Sequence, residues 1–196
     1  MKLRYSDLTD EQLIKDLQEN ENIEAYEILV KRYKDPLINF VYRFIGDRDA
    51  SVDIVQDTMV KFYINRHSYK EFAKFSTWIY TIAGNLAKNE LKRRKRRKIY
   101  SLQGNGNDDE RPVQIEDKNI KSPERLADSG IKNEIIQKAL LKVKPVYREV
   151  VILRDIQEFS YEEIAEMTGL SIGTVKSRIN RGRAVLQKLL KNIYRE

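Results

Sequence analysis

Lys92-Arg93-Arg94-Lys95-Arg96-Arg97-Lys98 is a run of seven cations closing an amphipathic stretch that begins near Thr77. Such a run repels itself and cannot be buried, so it makes sense where a polyanion supplies the counter-charge. Just upstream, Asn65, Arg66, His67, Tyr69, Lys70, Phe72 and Lys74 belong to a loop that interleaves bases with aromatics. That combination suits single-stranded nucleic acid, whose bases stack on rings while cations neutralise its phosphates. Thr81, Asn85, Lys88, Asn89 and Lys92 recur at helical spacing and share one side of the helix that ends in the basic run. A second cationic segment, far downstream, exposes Ser171, Thr174, Lys176, Ser177, Arg178, Asn180, Arg181 and Arg183. Lys and Arg suit phosphates or the guanine edge, while Asn and Ser suit other base edges. The chemistry on offer is nucleic-acid recognition with two footprints.

Catalysis has no comparable support. Cysteine is absent, which excludes a disulfide framework and a thiolate metal site, and the single histidine, His67, argues against a His-ligated one. No set of acids forms a persuasive catalytic cluster. No catalytic residue, metal or cofactor is expected. The 37 Lys and Arg outnumber 30 Asp and Glu, for a net charge of +7, and this balance suits a polyanionic partner. No apolar run approaches the roughly 18 residues of a membrane span, so no membrane insertion is expected. The first residues, Met1-Lys2-Leu3-Arg4-Tyr5-Ser6-Asp7, lack the apolar stretch of a signal peptide. The expected address is the cytoplasm.

These residues need elements to hold them. The patterning predicts an all-α chain of two small helical domains, 7–98 and 131–196, joined by a flexible linker at 99–130. Between residues 101 and 130, seven acids face four bases, and Gly104, Gly106, Pro112 and Pro123 interrupt any periodicity. In the first domain, Thr9 or Asp10 caps a helix to about Glu19. A second helix carries Ala25, Ile28, Leu29 and Tyr33. Asp35-Pro36 reads as the start of a third, with Leu37, Phe40, Val41 and Phe44 inward and Gly46 at its end. Asp49 opens a fourth, with Val52, Val55, Met59 and Phe62 inward and Asp53, Gln56 and Asp57 on another side. Ser76 or Thr77 caps the last, whose core side is Trp78, Ile79, Ile82 and Leu86. Trp78 and Phe75 read as core rather than as stacking platforms.

In the second domain, Ile131, Ile135, Ala139 and Leu140 mark one helix, and Pro145 starts another with Val146, Val150 and Leu153 inward. Ser160-Tyr161-Glu162-Glu163 is a capping box. Gly169 supplies a left-handed residue for a tight turn. Ser171 caps a long helix with Val175, Ile179, Gly182, Leu186 and Leu189 on one stripe. Capped helix, glycine turn, then a helix with polar residues near its start: this is the helix-turn-helix layout.

Taken together, the residues match a family. Asp53-Ile54-Val55-Gln56-Asp57, and Phe75 through Ala87 with its basic tail, resemble region two of bacterial sigma factors. Tyr147-Arg148-Glu149-Val150, and Tyr161 through Arg183, resemble region four. The chain resembles an extracytoplasmic-function (ECF) sigma factor of the sigma-70 family, and the likeness runs from about Glu21 to Leu190. The resemblance implies that Asp53, Gln56 and Asp57 dock on core RNA polymerase, through its beta-prime subunit. From the residues alone they would be a solvated acidic face. It implies that Asn85 and the loop 65–74 capture flipped-out bases of the −10 element, beside Lys88, Asn89 and Lys92. It implies that Ser171, Thr174, Lys176, Ser177, Arg178, Asn180 and Arg181 read the −35 element of promoter DNA. The linker would thread through the polymerase towards its active-site and RNA-exit channels, and the beta subunit is a further implied partner. An anti-sigma factor is a further implied partner. Two departures stand out: Met59 replaces a usual aromatic, and Gly84 a frequent arginine. The alternatives are a helix-turn-helix regulator that is not a polymerase subunit, and an RNA-binding or nuclease protein that uses residues 92–98. The alternating strand and helix pattern of a receiver domain, expected in many such regulators, is missing.

Overall fold

The computed structural model describes residues 7–103 and 129–193, so residues 104–128 of the expected linker lie outside it. Among the described residues the regular elements are helical, as the patterning predicts: α1 (Asp10–Asn20), α2 (Ile23–Ile45), α3 (Arg48–Ile64), α4 (Phe75–Gln103), α5 (Ser129–Lys142), α6 (Pro145–Asp155), α7 (Tyr161–Thr168) and α8 (Ile172–Ile193). A 3₁₀ turn at Arg66–Ser68 begins the loop between α3 and α4.

Thr9 caps α1 in a capping box completed by Gln12. Helix α2 differs from expectation, since it runs unbroken through Pro36. Lys34, Asp35 and Pro36 are exposed. The missing amide is therefore on the wet side, where water can satisfy the orphaned carbonyl. Ala25, Leu29, Leu37, Phe40, Val41 and Phe44 keep a continuous buried stripe on the other side. Helix α3 is capped by Asp47, not Asp49, with the Asp47 carboxylate accepting from the Ala50 amide at 3.0 Å.

The start of α4 also differs. Phe75 rather than Ser76 or Thr77 opens it, and the Thr77 side chain is buried inside the helix. The Phe75 amide donates to the Glu11 carboxylate at 3.3 Å, so α1 supplies the cap that the local sequence lacks. Phe75 is fully buried, with its ring centroid 5.2 Å from both Tyr33 and Phe62 and 6.0 Å from Trp78. This cluster fixes the point at which the aromatic loop ends and α4 begins. The buried stripe of α4 is Phe75, Ile79, Ala83 and Ala87, flanked by Tyr80, while Trp78, Ile82 and Leu86 are half-buried. The helix continues past Lys98 to Gln103, beyond the expected boundary.

The stripe turns towards Tyr80 because the second helical unit packs there. Helices α5 and α6 lie against α2, and α7 lies against α4. One continuous apolar cluster joins both units, from Leu13 to Ile179. Within the second unit, α6 buries Val150, Val151, Ile152 and Leu153 but leaves Val146 exposed. Val175 and Ile179 of α8 are buried as expected.

Candidate nucleic-acid interface

The loop between α3 and α4 is built by three of the residues that sequence reasoning offered to DNA. Tyr69 is only 4% exposed; its hydroxyl donates to the Ala73 carbonyl at 2.8 Å, and burial pushes its pKa up to about 12. The ring packs against Phe75 and Trp78 and leaves little surface open to a base. Arg66 donates to the Tyr63 carbonyl at 3.0 Å, pairs with Glu21 at 3.2 Å and lies 4.7 Å over the Tyr63 ring. Asn65 ends α3, its side-chain amide donating to the Lys61 carbonyl at 2.8 Å. Gln18 of α1 braces the turn, donating to the Arg66 carbonyl at 2.6 Å and to that of Tyr69 at 3.1 Å.

What the braced loop presents outward is His67, Lys70, Phe72 and Lys74, all exposed. Phe72 is 98% exposed, the most open of the large apolar side chains among the described residues. On α4 the exposed groups are Asn85, Asn89 and Lys92, on one side of the helix. Lys88 is half-buried and pairs with Glu149 of α6 at 3.1 Å, and Lys74 pairs with Glu163 of α7 at 2.9 Å.

The basic run is not uniform. Arg94 pairs with Asp47 at 2.9 Å and with Glu90 at 2.8 Å, and Arg93 pairs with Glu90 at 2.6 Å. The Ala50 amide and Arg94 together hold the Asp47 carboxyl below its usual range, against burial. Burial opposes the same shift at Glu90, but Arg94 and Arg93 outweigh it. Arg94 therefore fastens α4 to the start of α3. Lys92, Lys95, Arg96 and Arg97 are exposed. A cleft of 460 Å³ between the two helices sets Asp53 and Asp57 on one wall against Arg93 and Arg96 on the other. Asp53, Gln56 and Asp57 are all exposed, as expected.

The helix-turn-helix forms as the spacing predicts. Ser160 accepts from the Glu163 amide at 3.1 Å, and the Glu163 carboxylate accepts from the Ser160 amide at 2.7 Å. Gly169 adopts φ +67° at the turn, where side chains other than glycine are strained. Ser171 accepts from the Thr174 amide at 3.3 Å and shares a hydroxyl contact with Thr174 at 2.8 Å. These hydroxyls therefore serve the cap of α8. Lys176, Ser177, Asn180 and Arg181 are exposed, Arg178 is half-buried, and Lys176 sits 5.4 Å over the Tyr161 ring. Arg181 donates to the Tyr147 hydroxyl and so lowers its pKa. Arg183 pairs with Asp155 at its other edge. Gly182 lets α8 meet α6: a Cβ there would stand 2.5 Å from Val151 Cγ2 and 3.3 Å from the Tyr147 carbonyl oxygen.

Residues that sequence reasoning passed over hold the arrangement together. Glu11 and Gln18 shape the loop from a different helix. Arg148, quoted only within a motif, buries its guanidinium against three carbonyls: Phe44 at 2.6 Å, Leu141 at 2.6 Å and Val143 at 2.8 Å. Burial pulls its pKa down to about 10. Apart from Leu141 and Val143, these partners come from distant parts of the chain, so no local signal could have paired them.

A model of sigma-70 region 2 matches residues 29–97, and one of sigma-70, region 4, matches residues 133–186. The ECF RNA polymerase sigma factor SigW of Bacillus subtilis is 33% identical over 171 residues, covering 87% of this chain and 91% of its own. The ECF RNA polymerase sigma-E factor of Escherichia coli is 31% identical, covering 96% and 97%. Among solved structures, the sigma factor RpoE of Bartonella quintana, in complex with the anti-sigma factor NepR, matches with a TM-score of 0.65 and 27% identity over 85% of this chain and 96% of that one. CnrH, in complex with the cytosolic domain of CnrY, shares the fold with a TM-score of 0.63 at 23% identity. With both regions matched in this order, and with these relatives spanning most of its length, the chain belongs to the ECF sigma factors of the sigma-70 family.

Proposed function

We propose that the chain acts by binding core RNA polymerase in the cytoplasm and directing it to promoters through separate −35 and −10 contacts, without catalysing a reaction itself. The observation that carries this reading is the pair of outward cationic surfaces on different helical units. One is exposed Lys176, Ser177, Asn180 and Arg181 on α8; the other is exposed Asn85, Asn89 and Lys92 on α4, beside His67, Lys70 and Phe72. The first has the geometry of a recognition helix, with α7 placed to cross the backbone. The second offers an amide that can bond a base edge, a free aromatic ring and a cationic track, which is the equipment for holding an unpaired strand. In this reading Asn65, Arg66 and Tyr69 shape the loop, and Ser171 and Thr174 set the start of α8.

The acidic face Asp53, Gln56 and Asp57 is the proposed contact with the beta-prime subunit. Like charges at this spacing cost a few tenths of a kcal/mol within a helix, a cost that a basic partner surface offsets. An anti-sigma factor is a proposed further partner, supported by the RpoE relative that was solved with one. The deciding experiment is transcription by purified core polymerase, with and without this chain, on a library of genomic fragments. Discrete new start sites sharing −35 and −10 sequences are expected. They should weaken when Asp53 and Asp57 are both changed to Lys. No chain-dependent start sites would leave the rival regulator reading in place.

A further inference from the structure

Three cations of the second helical unit, Arg181, Lys144 and Arg178, converge on one phenol, that of Tyr147. Tyr147 stands in the first turn of α6, its amide donating to the Lys144 carbonyl at 2.9 Å. Its hydroxyl accepts from Arg181 of α8, and Lys144 and Arg178 lower the same pKa through their charge, so both lie close to it. Arg178 and Arg181 are one helical turn apart and lead directly to Gly182. Gly182 draws the two helices together here, since a Cβ would stand 3.3 Å from the Tyr147 carbonyl oxygen and 3.4 Å from the Tyr147 Cβ. The packing of α8 on α6 therefore builds the cluster.

Neighbouring cations of this unit are engaged elsewhere. Arg183 pairs with Asp155, Arg154 donates to the Phe159 carbonyl at 2.8 Å, and Lys176 lies over the Tyr161 ring. Lys144, Arg178 and Arg181, by contrast, pair with no carboxylate among the described residues. Cations gathered without an anion repel one another, so the fold carries a cost that a bound anion removes. Lys144 and Arg181 are exposed, while Arg178 and Tyr147 are half-buried. Arg181 belongs both to this cluster and to the outward face of α8, so the cluster borders that face. We propose that Tyr147, Lys144 and Arg178 clamp one backbone phosphate of the −35 duplex, beside the base pair that Arg181 reads. This rests on the assignment of α8 to the −35 element.

The phenol then has a different partner in each state. In the free chain its oxygen accepts from Arg181. Once Arg181 turns to a base edge, the hydroxyl donates to a phosphate oxygen, and Lys144 and Arg178 neutralise the charge of that phosphate. Such hydrogen bonds to the backbone carry no sequence information and fix register and orientation on the duplex. Tyr147 thus sets where Arg181 meets its base without reading one.

The test uses the full chain assembled with core polymerase, and a fluorescent duplex bearing a −35 element found by the transcription experiment. Lys144→Gln with Arg178→Gln should weaken cognate and scrambled duplexes alike, by about tenfold at low salt, and reduce the salt slope by about 0.9 for the phosphate no longer neutralised. Tyr147→Phe removes one hydroxyl and no charge, so it should weaken both duplexes about threefold and leave the salt slope unchanged. Lys188→Gln with Lys191→Gln makes the same charge change at exposed positions in the last turns of α8 and should have little effect. Equal losses from the two double variants would reduce the effect to net charge and overturn the proposal. A Tyr147→Phe variant that reorders the preference among single-base changes would also overturn it, because the phenol would then act on base reading. Single uncharged methylphosphonates placed along each strand should reveal one position where the unaltered chain loses affinity and the Lys144→Gln, Arg178→Gln variant loses nothing more. If every position weakens both proteins equally, there is no clamped phosphate. Lys176→Ala with Asn180→Ala tests the underlying assignment separately, and should narrow the gap between cognate and scrambled duplexes. If that gap stays as it was, the −35 assignment of α8 fails, whatever the clamp variants do.

Discussion

The Arg148 guanidinium lies 2.6 Å from the Phe44 carbonyl, joining α6 to the last turn of α2 across 104 residues of sequence. The same side chain satisfies Leu141 and Val143 at the end of α5. One planar group thus closes the carbonyl ends of two helices, as a cation at a helix C-terminus can do.

Arg148→Ala should therefore strip hydrogen bonds from three carbonyls at once. A loss of about 2–4 kcal/mol in urea unfolding is expected, since buried acceptors left unpaired carry the desolvation penalty. Arg148→Lys should recover less than half, because an ammonium cannot span the same fork. A loss under about 0.5 kcal/mol for the alanine variant would show that water replaces the guanidinium without cost.

The Asp47–Arg94–Glu90 network predicts a pH dependence. Both carboxyls are held below their ordinary pKa values in the folded state. Their contribution is therefore complete above the ordinary carboxylate range near 4 and lost as pH falls through the lowered values. Arg94→Gln should reduce stability at pH 7, and the loss should shrink as pH falls and both carboxyls take up protons in the folded state. Thermal unfolding from pH 2 to 7 checks this. An equal loss at both ends would mean that Arg94 acts through packing of its stem rather than charge.

Arg181 exchanges the Tyr147 hydroxyl for DNA in the proposed −35 reading. Arg181→Ala should cost about 1–3 kcal/mol of −35 duplex affinity if the side chain bonds a guanine edge, with sequence preference relaxed at one position. Gly182→Ala is the structural counterpart. It should destabilise the fold by about 1–3 kcal/mol by forcing α8 away from Val151 and Tyr147. Competition binding across a panel of single-base operator changes separates the two, since only Arg181→Ala should alter the ranking.

The basic run should divide by function. Neutralising Lys92, Lys95, Arg96 and Arg97 should lower binding to any single strand and reduce the salt slope by about 0.7 for each phosphate no longer neutralised. Asn85→Ala should leave the salt slope alone and narrow the gap between cognate and scrambled oligonucleotides. Equal weakening on both sequences for Asn85→Ala would move base reading to the loop, where Phe72 is the exposed ring. Titrations at several salt concentrations resolve these outcomes.

Local chemistry determined the helices and the helix-turn-helix. A capping box needs only Ser160 and Glu163, and a glycine turn only Gly169, so their geometry was legible in a few consecutive residues. The exposed face of Asp53, Gln56 and Asp57 and the exposed polar side of α8 followed from helical period, because a charge with no buried partner stays in water. Pro36 misled because the local rule for proline is weaker than a buried stripe on the opposite face of α2. The bracing roles of Tyr69 and Arg66 were not legible, because aromatic and basic residues in a loop have the same composition whether they face DNA or brace the loop. Only the fold placed Tyr69 on Phe75 and Arg66 on Tyr63. The cap that Glu11 gives α4, the Phe44 carbonyl that Arg148 reaches, and the glutamates on Lys74 and Lys88 join residues far apart along the chain. Such pairings depend on how helices pack in three dimensions, and periodicity within one helix carries no information about its neighbour's register.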